Sequence, residues 1–290
     1  MNGIILIDKP TDMTSRKVVD KISNIFKTKR IGHAGTLDPI ATGVLVLCVG
    51  NATKAVELLT NFNKEYIASV TLGVETDTLD IEGTILNEVD NVVVTKKQVL
   101  DVLNKFIGKI EQEVPKYSAI KVNGRRLYNY ARGNKLVELP KRNVEIFELS
   151  LISDLEKSND KIEFDIKCHV SKGTYIRSLI RDIGLELGYP ACMSSLRRVK
   201  QGGFSIDQCY SIEDVENGSY KILSIRETLT NIEELIVSKE LEVKIRNGAI
   251  IDKMFDADRI KIINSSGDLI AIYKMYELDN SKAKPDKMFI

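Results

Sequence analysis

Gly32-His33-Ala34-Gly35-Thr36-Leu37-Asp38-Pro39, continued by Ala41-Thr42-Gly43 and the apolar run Val44 to Val49, is the stretch on which the reading of this chain turns. The run is short, rich in valine and bounded by Gly43 and Gly50, which fits a core strand better than a helix. The glycine-rich turn ahead of it delivers one carboxylate, Asp38, to that strand. A reactive side chain is best held still on a rigid element of this kind. Read alone, an Asp-Pro step is equally a turn or capping aspartate.

Working outward, Thr14-Ser15 precede Val18, Val19, Ile22, Ile25 and Phe26, an apolar stripe at helical spacing behind a capping residue. Tyr66, Ala68, Val70 and Leu72 alternate along one strand face, and Ile162, Phe164, Ile166, Cys168 and Val170 along another. Thr95 with Gln98 opens a helix through Val99, Leu103 and Phe106, and a further helix runs through Ile176, Leu179, Ile180, Ile183 and Leu187. Thr76-Asp77-Thr78-Leu79-Asp80 and Gly83 read as a polar link between strands. This mixed order, without βαβ repetition, predicts an α+β fold with a largely antiparallel central sheet and flanking helices. A second, small β unit is expected from Ile232, through Leu241, Val243, Ile245, Ile260 to Ile263, a Gly267 hairpin and Leu269 to Tyr273. About sixty residues is near the lower limit for a self-sufficient core, so that unit should lean on the larger one. Asn280 to Asp286 reads as a loose tail.

The apolar start, Met1 to Ile7, lacks the basic region and cleavage site of a secretory signal, and no run approaches the ~18 apolar residues of a membrane span. Cys48, Cys168, Cys192 and Cys209 form no Cys-x-x-Cys pair and read as reduced packing residues of a cytosolic protein, with no structural zinc. The net charge of +1 does not by itself suggest a nucleic-acid partner, but its distribution does. From Lys116 to Arg142 cations outnumber the lone Glu138, and they interleave with Tyr117, Tyr128 and Tyr130. A second basic set, Lys167, Lys172, Arg177, Arg181, Arg197, Arg198 and Lys200, follows, whereas Asp207 to Glu240 is mainly acidic. Such asymmetry can place a positive field over one face without a basic total; charges that simply alternate on a solvated surface are the other reading.

The Gly32–Pro39 and Ala41–Gly43 stretch, with Gly50, Ala52, Thr53 and Lys54, resembles the signature of the TruB family of tRNA pseudouridine-55 synthases. Tyr117-Ser118-Ala119 with Lys121, and Ser171-Lys172-Gly173-Thr174-Tyr175-Ile176-Arg177, agree with it. The resemblance runs from Gly3 to about Val199. It implies the pseudouridine synthase fold over residues 1–231, with 116–142 as a basic insertion that grips the T stem-loop of tRNA and orders on binding. It also implies a PUA-like RNA-binding domain over 232–290. The implied reaction breaks the bond from sugar C1′ to base N1, turns the base and rejoins C1′ through C5. Both bonds lie within one nucleotide, so no cofactor, metal or second substrate is required, and a monomer suffices.

The resemblance makes Asp38 the catalytic carboxylate, acting on the sugar or base. Arg177 is its partner, since a guanidinium fork holds a carboxylate ionised and oriented. Tyr66 corresponds to a ring that stacks on the target base and helps remove the C5 proton, and Leu196 to an apolar wall opposite. Tyr175, His33 and Lys54 are expected at the RNA. Read without the family, Arg177 is a surface arginine, Tyr66 an ordinary strand aromatic and His33 a packed or capping histidine. Lys9-Pro10 is expected to pack beneath the catalytic loop. Two positions depart from the family pattern: Asp12 stands where glycine is usual, and Val114 where proline is often found. An RNA-folding chaperone is the alternative from another class. A glycosidic hydrolase would want a second carboxylate, and none sits in these motifs; a guide-dependent synthase would not need its own basic insertion.

Overall fold

The computed structural model describes residues 1–133 and 135–290. The valine-rich run forms strand Thr42–Val49, buried at every residue after Thr42. It is apolar throughout because both faces are covered. Helix Ser15–Ile25, capped by the Thr14 side chain, lays Val18, Val19 and Ile22 on Leu45, Leu47 and Val49. Val44, Val46 and Cys48 on the other face meet Phe204, Leu229, Ile272 and Phe289. Burying each such side chain contributes about 1.5–3 kcal/mol.

Strand Gly3–Lys9 pairs antiparallel with Gly43 to Val49 of strand Thr42–Val49. From there the ten-stranded sheet continues through Ala191–Gln201, Lys64–Leu72, Lys161–Val170, Lys141–Leu151 and Gly108–Glu113. Pairing is antiparallel except where Arg197 and Arg198 meet Thr42 and Gly43 in parallel. In this half only one face is dry: Tyr66, Ala68, Val70 and Leu72 pack with Phe164, Ile166 and Cys168 under helix Ile176–Leu187 and helix Lys96–Lys105. The alternating residues between them face solvent, as expected. The Thr95–Gln98 capping box is formed.

The second unit is a five-stranded sheet, Glu234–Ile236, Arg259–Ile263, Leu269–Tyr276, Asp279–Met288 and Ile251–Asp252 in spatial order. Its hairpin turns at Gly267, with the Asn264 side chain accepting from the backbone N–H groups of Ser266 and Asp268. Ile272 and Phe289 join the core under Val44, so this unit does lean on the larger one.

Two expectations fail here. Leu241, Val243 and Ile245 are not a strand but part of helix Lys239–Arg246. The Ser238 side chain caps it, Glu240 and Glu242 sit at its positive end, Lys244 and Arg246 at its negative end, and Glu242 pairs with Arg246 at 2.7 Å. Those terms, with Leu and Lys as good helix formers, outweigh a short alternation. Asn280 to Asp286 is not a tail but part of strand Asp279–Met288, paired on both sides. Its charges are matched by distant residues, Lys282 with Asp252 and Asp286 with Arg259. No helix among the described residues is long and apolar enough to cross a membrane.

Candidate active site

The turn carrying Asp38 is pinned from several sides. The hydroxyl of Ser15, itself buried, accepts from the Leu37 N–H at 2.9 Å and donates to the Leu37 carbonyl at 3.1 Å. The ammonium of Lys9, fully buried, donates to the carbonyls of Pro10, Met13 and Pro39. Burial pushes that amine down to about 8, against the attraction of Asp38 and Asp12. Lys9 therefore ties the turn after the first strand to the Asp38 turn, the packing role expected of Lys9-Pro10. Asp12 has φ 59°, so the residue replacing the usual glycine does adopt the left-handed backbone. The Val114 N–H donates to the Pro140 carbonyl at 3.0 Å, a bond a proline could not make.

Asp38 opens onto a cavity of about 640 Å³ also lined by Tyr66, Ser118, Tyr175, Arg177 and Leu196. That volume suits one nucleotide base with its sugar. Arg177 reaches it from the first turn of helix Ile176–Leu187, whose start is clamped because Gln112 bonds both the N–H and the carbonyl of Tyr175. Tyr175 is still extended, at φ −100° and ψ 111°, and both side chains enter one pocket as their spacing implied. Arg177 is buried, and its Nη2 lies 3.0 Å from Asp38 Oδ2 and donates to the Tyr117 carbonyl. Its Nη1 donates to the Thr78 carbonyl at 2.9 Å and to Asp80 Oδ2 at 3.2 Å. The guanidinium is thus shared between an accessible carboxylate, 39% exposed, and a buried one, 8% exposed.

Tyr66 is buried, and burial raises its phenol's pKa while the neighbouring Arg198 opposes the rise. Burial likewise raises Tyr175. Lys64 lines the cavity with its ammonium on the Thr60 and Phe62 carbonyls, and burial lowers it to about 8. The cavity wall holds Lys64, Arg142, Lys172, Arg177 and Arg198 against Asp38 as its acid. That balance suits a polyanion.

Asp38, Tyr66, Tyr175, Arg177 and Leu196 are therefore brought together, whereas two expected residues are not. Lys54 lies in the helical turn Gly50–Ala55, beyond the far end of strand Thr42–Val49, with Nζ 3.5 Å from the Ile290 carbonyl. An eight-residue strand separates it from Asp38 by roughly 25 Å. His33 is paired with Leu47 in strand Ile31–Ala34 and does not line the cavity. Its Nδ1 is buried without a partner, and burial lowers its pKa. The sequence reading missed Asp80, Ser15, Lys64, Ser118 and Arg198. Asp80 looked like one more turn residue in Thr76–Gly83, and only its place two positions after Thr78, on the far side of Arg177, reveals it. It does not supply a hydrolase's second carboxylate, because it does not line the cavity.

In the insertion, Leu127 and Ala131 are buried, and the Arg126 and Arg132 guanidinium groups lie 5.8 and 5.5 Å from the Tyr128 ring centroid. Such a cationic, aromatic surface fits a folded RNA loop.

An acid-guanidinium pair lies in a base-sized, cation-walled pocket on this sheet, the arrangement expected of a pseudouridylate synthase. The model for the N-terminal domain of the TruB family pseudouridylate synthases matches residues 23–176, and that for the tRNA pseudouridylate synthase B C-terminal domain matches 177–237. A tRNA pseudouridine synthase B of Halalkalibacterium halodurans is 42% identical over 99% of this chain and 97% of its own. That of Bacillus subtilis strain 168 is 40% identical over 100% and 98%. The chain belongs to the TruB family. Its fold is also that of a chain in the crystal structure of a Cbf5-Nop10-Gar1 complex, at a TM-score of 0.73 and 24% identity, over 99% of this chain and 85% of that one.

Proposed function

We propose that this enzyme converts the uridine at position 55 of the tRNA T loop to pseudouridine, as a cytoplasmic monomer needing no cofactor or metal. The observation that carries the reading is the Arg177 guanidinium held between Asp38 and Asp80 at the mouth of a base-sized cavity. A base that must detach, turn and rejoin has to leave the stack, and the cavity offers Tyr66 as a face for it. Arg177 keeps Asp38 ionised and aimed while the carboxylate adds to, or stabilises charge on, the everted nucleotide. Leu196 and Tyr66 exclude water from the sugar, which limits hydrolysis. Tyr66 takes part in removing the C5 proton, and Tyr175 braces the nucleotide beside Arg177.

The basic insertion 116–142 grips the T stem-loop, within a catalytic domain of residues 1–231. Residues 232–290 form the PUA-like RNA-binding domain. The tRNA specificity is supported by the relatives, which carry that substrate in their names over nearly the full length of this chain. His33 and Lys54, which do not line the cavity, meet the RNA outside it, from strand Ile31–Ala34 and from the turn Gly50–Ala55.

The test is incubation of Asp38→Asn and wild type with protein-free tRNA transcript, followed by nucleoside-level mapping. Wild type should modify one T-loop uridine without added RNA, and the variant should bind tRNA but not modify it. Turnover by the variant at near wild-type rate would overturn the catalytic assignment. Release of free uracil would point to a hydrolase instead.

A further inference from the structure

Arg198 is 1% exposed, yet no carboxylate pairs with it among the described residues. Its Nε donates to the Val44 carbonyl at 2.7 Å and its Nη2 to the Gly35 carbonyl at 3.0 Å, leaving Nη1 uncommitted. Burying a permanent cation without a counter-ion is costly. The carbonyl bonds alone do not explain the cost, because three residues on, the neutral amide of Gln201, fully buried, ties the Ala34 and Leu59 carbonyls. A neutral side chain would have served. Arg198 also sits directly opposite Tyr66 across adjoining strands, and both line the cavity. On its other side Tyr66 faces Cys168, whose thiol burial keeps protonated. Of the groups bearing on the phenol, Asp38 and Cys168 disfavour negative charge on it and Arg198 favours it.

We infer that Arg198 is a positioning residue for Tyr66: its guanidinium orients the phenol and stabilises the phenolate that takes the C5 proton. The inference rests on the proposed role of Tyr66. Once C1′ is bonded to C5, that carbon still carries hydrogen and the ring holds an N1=C6 double bond. The Tyr66 phenol first releases its proton to solvent, Arg198 stabilising the phenolate. The C5 proton then passes to that phenolate, the C5–H pair closes C5=C6, and the N1=C6 pair moves onto N1, which is protonated from water. The phenol is thereby restored. A base in contact with such a proton contributes roughly a hundredfold or more.

The experiment measures single-turnover rates of Arg198→Gln, Arg198→Lys, Tyr66→Phe and Tyr66→Phe/Arg198→Gln on T-arm RNA carrying either uridine or 5-fluorouridine at the target. With fluorine at C5 there is no proton to lose, so transfer of the sugar from N1 to C5 reports everything except that step. Arg198→Gln should slow formation of the uridine product roughly 100-fold and leave fluorouridine transfer within about 3-fold. Arg198→Lys, retaining a cation, should recover part of the loss, and the double variant should be no slower than Tyr66→Phe alone. Equal slowing on both substrates, or a double variant that multiplies the two losses, would show Arg198 to be structural and overturn the inference. If Tyr66→Phe turns uridine over normally, the role of Tyr66 itself fails. If Tyr66→Phe stalls on uridine only and Arg198→Gln does not, this inference fails alone. Should Arg198→Gln not fold, Arg198→Lys, alone and combined with Tyr66→Phe, decides between the same outcomes.

Discussion

Ser15→Ala is the sharpest test of how the catalytic turn is held. The Ser15 hydroxyl meets both backbone groups of Leu37 from a buried position, so alanine strands one N–H and one carbonyl away from water. Each stranded group costs about 1–3 kcal/mol, giving about 3 kcal/mol in all. For a chain of this size that lowers Tm by about 5 °C. Because Leu37 precedes Asp38, part of the loss should appear as misplacement of the carboxylate. A shift of about 1 Å costs up to roughly a hundredfold, so single-turnover rate should fall roughly 10–100-fold. RNA affinity, set elsewhere in the cavity and insertion, should change by less than about 2-fold. Thr14→Ala is the matched control: it removes the helix-capping hydroxyl, which accepts from Lys17 N–H, and should cost about 1 kcal/mol without slowing turnover. The measurements are thermal melting, filter binding and single-turnover conversion. A Ser15→Ala protein that melts within about 2 °C of wild type, or that slows no more than Thr14→Ala, would refute the reasoning.

Asp80→Asn keeps the shape of the buried partner but removes its charge, leaving Arg177 to Asp38 alone; a charge-assisted bond of about 1.5–3 kcal/mol predicts a roughly 10–100-fold lower kcat with unchanged tRNA binding. Unaltered kcat would mean the second carboxylate is only structural. Lys54→Ala should leave turnover within about 2-fold of wild type because the side chain is exposed and remote from the cavity; a large loss of rate would tie Lys54 to the chemistry after all. Lys64 has a folded-state pKa of about 8, below its unfolded value, so deprotonation favours the folded form. Stability should therefore rise as pH climbs from about 8 toward 10.5, while tRNA affinity falls from about pH 8 upward; Lys64→Met should remove the Lys64 share of the stability rise, leaving that of Lys9, and flatten the affinity trend. An affinity-against-pH curve that Lys64→Met does not change would remove Lys64 from the RNA site.

Where a local pattern is enforced by local physics, the chain could be read directly. The Thr95 capping box needs only residues three apart. The alternation of Tyr66 to Leu72 needs only one dry face, and the strand after Gly43 only two. Leu241 to Ile245 misled because a short alternation fits both strand and helix, and the deciding terms were the Ser238 cap and the charges at each end. Asn280 to Asp286 misled because its strand is made by pairing, with Leu269–Tyr276 across a turn and with Ile251–Asp252 about thirty residues back.

The amino-acid order carried the family resemblance and the α+β class, because those rest on contiguous motifs and local periodicity, and through that resemblance it carried the expectation that Asp38 meets Arg177. Folding in three dimensions decided the rest. It set Asp80 behind Arg177, Ser15 and Lys9 beneath the Asp38 turn, and Arg198 opposite Tyr66, and it removed Lys54 and His33 from the cavity. Each of these depends on which distant strands lie side by side and in what register. No short window of sequence records that, because burial and charge partnership are properties of the assembled sheet.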